Sequence, residues 1–299
     1  PTADDIATAR RWQHTLLAGG WAALSWPEPY GAGATVVEQA IFAEAMARRG
    51  LPRQLSFVSM ELAGPILIGF GTEEQKERFL GPLKRGEELW CQLFSEPGAG
   101  SDLASVSTRA SAQPGGGWRV TGQKVWTSGA HYADYGLLLA RTSPDAPAHR
   151  GITCFALPMD RPGIEVRPIV QMDEESKFNE VFLDDVEVGV SDVLGAVDGG
   201  WSVALSILGR ERRMLGSIAI GLSTTLDELR VEVSRQGGED QVFQVRWAEL
   251  AMRVQLLRWT WFRLLASSAD SAVDPRMSVL KLVSSELQQA VARLAVETL

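Results

Sequence analysis

Three features of this 299-residue sequence combine residue types that can do chemistry. The first is Trp90-Cys91-Gln92-Leu93-Phe94-Ser95-Glu96-Pro97-Gly98-Ala99-Gly100-Ser101-Asp102-Leu103. Its glycines remove Cβ atoms, so that the backbone can curl and successive N–H groups converge, while Ser95 and Ser101 add hydroxyls. Such a nest suits phosphate or pyrophosphate; the alternative is a plain glycine-rich turn. It is not the dinucleotide fingerprint, because the third glycine position after Gly98-Ala99-Gly100 holds Leu103. The second feature, Gly122-Gln123-Lys124-Val125-Trp126-Thr127-Ser128-Gly129-Ala130, sets an indole beside two hydroxyls in a strand context. A planar aromatic next to hydrogen-bond donors suits a flat, polar-edged ring system such as a flavin; a lone tryptophan in a strand is otherwise core. The third is a carboxylate. Leu205, Leu208, Leu215, Ala219, Leu222 and Leu226 form the apolar stripe expected of a helix after Gly200, and Glu211 falls inside it with Arg212 in the same arc. Glu211 is either a general base in a dry setting or half of a Glu/Arg pair that organises the helix.

The surrounding pattern indicates the elements that must position these groups. From Asp4 to about Glu88 the period is helical, as in Ile41, Phe42, Ala45 and Met46, interrupted at Trp26-Pro27-Glu28-Pro29-Tyr30-Gly31 and at Gly69-Phe70-Gly71. Thr72 and Gln75 then form a capping box, which predicts a helix to about Leu83. Beyond Leu89, turn clusters such as Pro114-Gly115-Gly116-Gly117 alternate with short runs: Trp118–Thr121, Tyr135–Ala140, Ile152–Leu157, Val181–Leu183 and Val186–Val188. That texture predicts an antiparallel sheet ending near Gly199-Gly200. After Trp201 the helical period returns to Leu299, broken at Arg235–Asp240 and at Ala269–Pro275. The expected architecture is α+β, with an N-terminal helical domain over 1–89, a middle antiparallel β domain over 90–199 and a C-terminal helical bundle over 200–299.

Composition removes several classes of function. The net charge of −8 argues against a nucleic-acid binder. Cys91 and Cys154, the only cysteines, have no paired spacing and read as free thiols in a reducing compartment. Three histidines, His14, His131 and His149, make no metal motif, and there is no GxSxG elbow or Walker loop. No apolar run reaches the roughly 18 residues of a membrane span, so a cytoplasmic protein with no membrane insertion is expected.

Ser95–Asp102, Gly122–Trp126, Phe178-Asn179-Glu180-Val181-Phe182 and Gly200-Trp201 occur in the order in which the acyl-CoA dehydrogenase family carries such motifs, and the whole chain resembles that family. The resemblance implies the helix–sheet–helix layout, an FAD cofactor and oxidation of an acyl-CoA thioester to the trans-2-enoyl-CoA. By position, Gln92, Leu93, Phe94, Ser95, Gly100 and Ser101 match the loop that holds the isoalloxazine edge and pyrophosphate. Ser101 matches a serine shared with the acyl-CoA, and Trp126, Thr127 and Ser128 match the second flavin contact. In one branch of the family, which includes the isovaleryl and long-chain enzymes, the catalytic glutamate stands where Glu211 does. Gly209, Arg210 and Arg212 would then line the substrate side. The other branch carries the base on a late C-terminal helix, and this chain is expected to stop before it, since Ser278–Leu299 matches the stretch just upstream.

One departure stands out. Many members carry an Arg-x-x-Phe-Gly segment and a downstream glutamine that reach the FAD of a neighbouring subunit. Here Arg235-Gln236-Gly237-Gly238-Glu239-Asp240-Gln241 lacks the Phe-Gly, leaving Gln241 as the match to the glutamine. The resemblance is nearest to the actinobacterial branch acting on bulky or steroid side-chain acyl groups, some members of which are heterotetramers. It implies a homo- or hetero-oligomer built as a dimer of dimers, with an electron-transfer flavoprotein as acceptor. Two other readings stand beside it: a flavin oxidase or monooxygenase on the same fold, and a non-catalytic partner subunit of a heteromeric enzyme.

Overall fold

The computed structural model describes residues 3–52, 57–214, 218–238, 240–267 and 276–299, with the side chains of 3 and 212–214 outside that description. Among the described residues, the helices before the sheet are α1 (Ala3–Ala18), α2 (Val36–Arg48), α3 (Gly64–Phe70), which continues a π-helical turn at Val58–Ala63, and α4 (Glu73–Arg85). The expected capping box opens α4: Thr72 Oγ1 accepts from the Gln75 N–H, and Gln75 Oε1 accepts from the Thr72 N–H at 2.9 Å. The helix runs two residues beyond the predicted Leu83 and stops at Gly86, whose φ of +72° makes the left-handed cap glycine favours. A second capping box, Thr35 with Glu38, opens α2, where Ala40 is buried and Ile41 faces solvent.

The strands are β1 (Trp90–Leu93), β2 (Arg109–Ala112), β3 (Trp118–Ser128), β4 (Tyr135–Arg141), β5 (Ile152–Pro158), β6 (Ile164–Ile169), β7 (Phe178–Val188) and β8 (Val193–Leu194). They form one sheet in the order β6-β7-β3-β2-β4-β5-β8, with β1 added beside β4. Most pairings are antiparallel as expected, but β1 runs parallel to β4, and β2 touches β4 in the same sense. The chain reaches β1 from the helices and returns to its neighbour only after β2 and β3, the long connection a parallel pair needs. The two apolar runs at Val181–Leu183 and Val186–Val188 belong to one strand; Asp185, at φ +52°, interrupts their alternation without ending it. Leu93, Val120, Leu138, Phe155, Val181 and Val186 fill the core on this sheet.

After the sheet come α5 (Gly200–Met214), α6 (Ile218–Arg235), α7 (Gln241–Ser267) and α8 (Met277–Thr298). The expected break at Arg235–Asp240 separates α6 from α7; the one at Ala269–Pro275 lies outside the described residues. The chain divides into two compact units, Pro1–Ala32 with Gln54–Ile207, and Gly33–Arg53 with Leu208–Leu299. In the first, α4 is tied to the sheet by the Gln75 side-chain amide, which donates to the carbonyls of Ser191 and Val193 at 2.8 Å each. Phe79 there meets Trp90 and Tyr135 edge-on, and the latter two stack at 5.1 Å. In the second unit, Ala40 of α2 joins Leu226, Leu257, Trp261, Leu287 and Leu294 in one apolar core. Arg258 there donates to both carboxylate oxygens of Glu44, binding α7 to α2.

Candidate functional site

The site begins with a register change in the longest strand pair. Lys124 faces Val181, but Thr127 faces Asn179, so β3 spends three steps where β7 spends two. One extra residue in a strand is a β-bulge, which bends the strand and re-aims its side chains. Without it, Lys124 and Thr127 would point to opposite faces; with it both are buried, and Trp126 is left outside. Trp126 takes φ +59°, a left-handed conformation uncommon for a bulky residue, and its side chain is 59% exposed. Phe178 meets its ring edge-on at 6.0 Å. An exposed indole on a sheet has the shape to stack on a flat partner.

Asn179 fixes what lies beneath. It is fully buried, its Nδ2 donates to the Thr127 carbonyl at 2.9 Å, and its Oδ1 lies 3.1 Å from Nδ1 of His131. The Thr127 hydroxyl is buried without a hydrogen-bond partner. Ser128, next in the strand, is exposed.

The glycine-rich segment lies directly against this one. The Val125 N–H donates to the Ser95 carbonyl at 2.9 Å, and the Lys124 ammonium to the Phe94 carbonyl at 3.1 Å. Glu96 and Ala99 exchange both backbone bonds at 3.0 Å, making a tight turn with Pro97 and Gly98 at its tip. The expected curl is not driven by glycine conformation: neither Gly98 nor Gly100 has a positive φ, and a Cβ on either would meet nothing. What these glycines provide is bare backbone facing open space. Among the described residues, the N–H groups of Ser95, Gly98, Gly100 and Ser101 and the side chains of Gln92, Ser95 and Ser101 have no partner inside the chain. Leu93 and Phe94 are buried and serve as packing.

Two residues quoted within the motifs, but given no role from sequence, hold the site together. Lys124 is fully buried, and its Nζ donates to Glu96 Oε1 at 2.8 Å and to the Leu139 carbonyl at 2.7 Å besides Phe94. Burial pulls the Lys124 pKa down, and Glu96 partly restores it, to about 8. Burial raises the Glu96 pKa, but the Lys124 charge outweighs it, together with hydrogen bonds from Lys124, Thr108 and Ser107, leaving it at about 2. The pair is therefore ionised at neutral pH. Lys124 continues the buried alternation of Trp118 and Val120, so its inward position follows the strand period, and the bulge after it is what turns Thr127 inward.

The remaining expected site residues belong to the second unit. Gly209, Arg210 and Glu211 lie near the end of α5, with Glu211 half-buried, one turn beyond Ile207. The buried face of α5 is Val203, Ala204 and Ile207, whereas Leu205 is exposed; Leu215 and the Arg212 side chain lie outside the described residues. Gln241 is the exposed first residue of α7. Cys91 and Cys154 are free and buried, and desolvation pushes both thiols up to about 12, so neither is a nucleophile. No cluster of metal-binding side chains occurs among the described residues.

Such a scaffold, with helices before and after a sheet whose bulged strand presents an indole beside uncommitted N–H donors, suits a flat, anionic cofactor. Known proteins say which. Residues 2–87, 91–186 and 198–299 match the N-terminal, middle and C-terminal domains of acyl-CoA dehydrogenases. Acyl-CoA dehydrogenase FadE34 of Mycobacterium tuberculosis is 43% identical over 293 residues, covering 95% of this chain. The chain spans 40% of the length of that relative. Among solved structures, the Tcur3481-Tcur3483 steroid ACAD superposes with a TM-score of 0.88 at 29% identity, covering 97% of this chain and 75% of that one. The ChsE4-ChsE5 complex from Mycobacterium tuberculosis gives 0.85 at 31% identity, covering 97% and 76%. The chain belongs to the acyl-CoA dehydrogenase family, whose members are FAD-dependent oxidoreductases. Among its described residues no helix is long and apolar enough to cross a membrane.

Proposed function

We propose that this chain binds FAD and performs the α,β-dehydrogenation of an acyl-CoA thioester to the trans-2-enoyl-CoA, with Glu211 as base. The observation that carries the reading is the juxtaposition of exposed Trp126 with unpartnered N–H groups and hydroxyls from Ser95 to Ser101, tied strand to loop by the Val125–Ser95 hydrogen bond. The residues fit the cofactor: Trp126 offers a face to the ring, while Ser95, Thr127 and Ser128 offer donors to its edge. The Gly100 and Ser101 amides suit the pyrophosphate, and Gln241 the cofactor of a neighbouring subunit. FAD, when bound, supplies the acceptor for the β-hydrogen leaving as hydride.

The chain's own part is to hold and deprotonate. The Glu211 carboxylate takes the α-proton. Gly209, Arg210 and Arg212 line the thioester's path, and Ser101 contacts both ligands. A bulky or steroid side-chain acyl group is the substrate class, in line with the steroid ACAD that the chain superposes on. Assembly as a dimer of dimers with a like or homologous chain belongs to the same reading, in line with the ChsE4-ChsE5 complex. So do a cytoplasmic setting and a soluble electron-transfer flavoprotein as acceptor. The division at 89/90 and 199/200 into three domains is carried with it.

A panel of thioesters, from short linear to steroidal, scored by loss of flavin absorbance, tests activity and substrate together; no reduction by any of them would refute it. Oxygen uptake without added acceptor would instead indicate an oxidase. The non-catalytic subunit is favoured by the missing Phe-Gly around Arg235–Gln241, and is excluded if the chain purified alone is yellow and turns over.

A further inference from the structure

The buried pair in the sheet has more bonding than stability requires. Exchanging a buried ion pair for well-packed apolar residues is often neutral or stabilising, so the presence of one calls for another explanation. Here every bond of the Lys124 ammonium is accounted for, and two of its three acceptors, the Phe94 carbonyl and Glu96, flank Ser95. The third acceptor, the Leu139 carbonyl, anchors it to β4. The Ser95 carbonyl is itself held by the Val125 N–H. Three successive loop residues are thus fixed from two successive residues of β3, immediately before Trp126. Glu96 completes the frame: its Oε2 accepts from the Ser107 N–H at 2.6 Å and hydroxyl at 2.7 Å, and its Oε1 from the Thr108 N–H at 3.0 Å.

The Phe94 carbonyl and the Ser95 N–H belong to one peptide group, and in a trans peptide they point in opposite directions. Holding the carbonyl inward on an ammonium therefore turns the N–H outward. The charge-assisted bond also polarises the peptide, making that N–H a stronger donor. Among the described residues, Ser95 N–H and Oγ have no partner once these bonds are made.

We propose that Lys124 and Glu96 are positioning residues for the flavin: a buried latch that orients the Phe94–Ser95 peptide and registers the Ser95 loop against the Trp126 strand. The proposal rests on the reading that this chain binds FAD. Neither residue touches the cofactor; both act through Ser95.

The test compares full-length protein with Glu96→Gln, Lys124→Met and the doubly apolar Lys124→Met/Glu96→Leu. Each is stripped of FAD, checked by circular dichroism and thermal melting, and titrated with FAD by flavin fluorescence. Variants that fold should bind FAD about tenfold or more weakly, the loss of a charge-assisted hydrogen bond, and show an altered visible circular dichroism of the bound flavin. The apolar double variant should melt near the wild-type temperature, separating positioning from stability. Wild-type affinity and an unchanged flavin spectrum in the folded double variant would overturn the latch while leaving FAD binding intact. No variant folding would assign the pair to the sheet's stability and also overturn it. A wild-type chain that binds no FAD would refute the functional reading itself, and the latch with it.

Discussion

At Trp126 a bulky side chain is kept outside the core at a left-handed φ of +59°, an arrangement whose cost must be met by what the indole does there. Replacing it with alanine should leave the fold intact, because its neighbours lose little packing, and weaken FAD retention; Ser101→Ala should do the same to a smaller degree. FAD content after dialysis measures both, and unchanged content in both variants would contradict the site assignment. Glu96 predicts a pH effect. Its folded pKa, near 2, lies below the ordinary 4.5, so its contribution to stability is present above pH 4.5 and lost as pH falls toward 2. Urea unfolding at a series of acidic pH values reads this loss. Glu96→Gln should flatten that slope. The serines, tryptophan and glycines drew attention in the sequence because their types are those a flat anionic ligand needs. Lys124 and Asn179 fall on the buried alternation of β3 and β7, where the strand period marks burial but not the partner, and Glu96 lies outside the strands.

Elements with local chemical signals were read well. The Thr72–Gln75 box placed the start of α4, and Thr72→Ala should cost about 1 kcal/mol, measurable as a fall in the denaturation midpoint without a change in slope. Gly64 is set by tertiary packing instead. A Cβ there would lie 2.0 Å from the Trp26 ring, which is itself buried and donates from Nε1 to the Met60 carbonyl at 2.7 Å. Gly64→Ala should therefore destabilise by more than about 1 kcal/mol, seen as a lower melting temperature. The strands β1, β2, β6 and β8 were harder to see, being two to six residues long with patterns set by their neighbours. Leu205 shows the same limit on α5: helical spacing grouped it with the core, but Val203, Ala204 and Ile207 define the buried arc.

Across the whole molecule, the order helices, sheet, helices was written in the change of hydrophobic period, and the match of three consecutive domains to acyl-CoA dehydrogenases follows that order. The compact units cut differently, because α2 buries Ala40 with α6, α7 and α8 although the sequence places it among the first helices. Periodicity reports which face of a helix is apolar and not which distant helix covers it. The proposed reaction needs both bound FAD and the Glu211 carboxylate. The most direct test is anaerobic titration of FAD-loaded wild-type and Glu211→Gln protein with acyl-CoA thioesters, followed at the flavin absorbance band. The wild type should lose that band with at least one bulky thioester, while Glu211→Gln retains its FAD and keeps the band. No loss in the wild type with any thioester, or full loss in Glu211→Gln, would contradict the account.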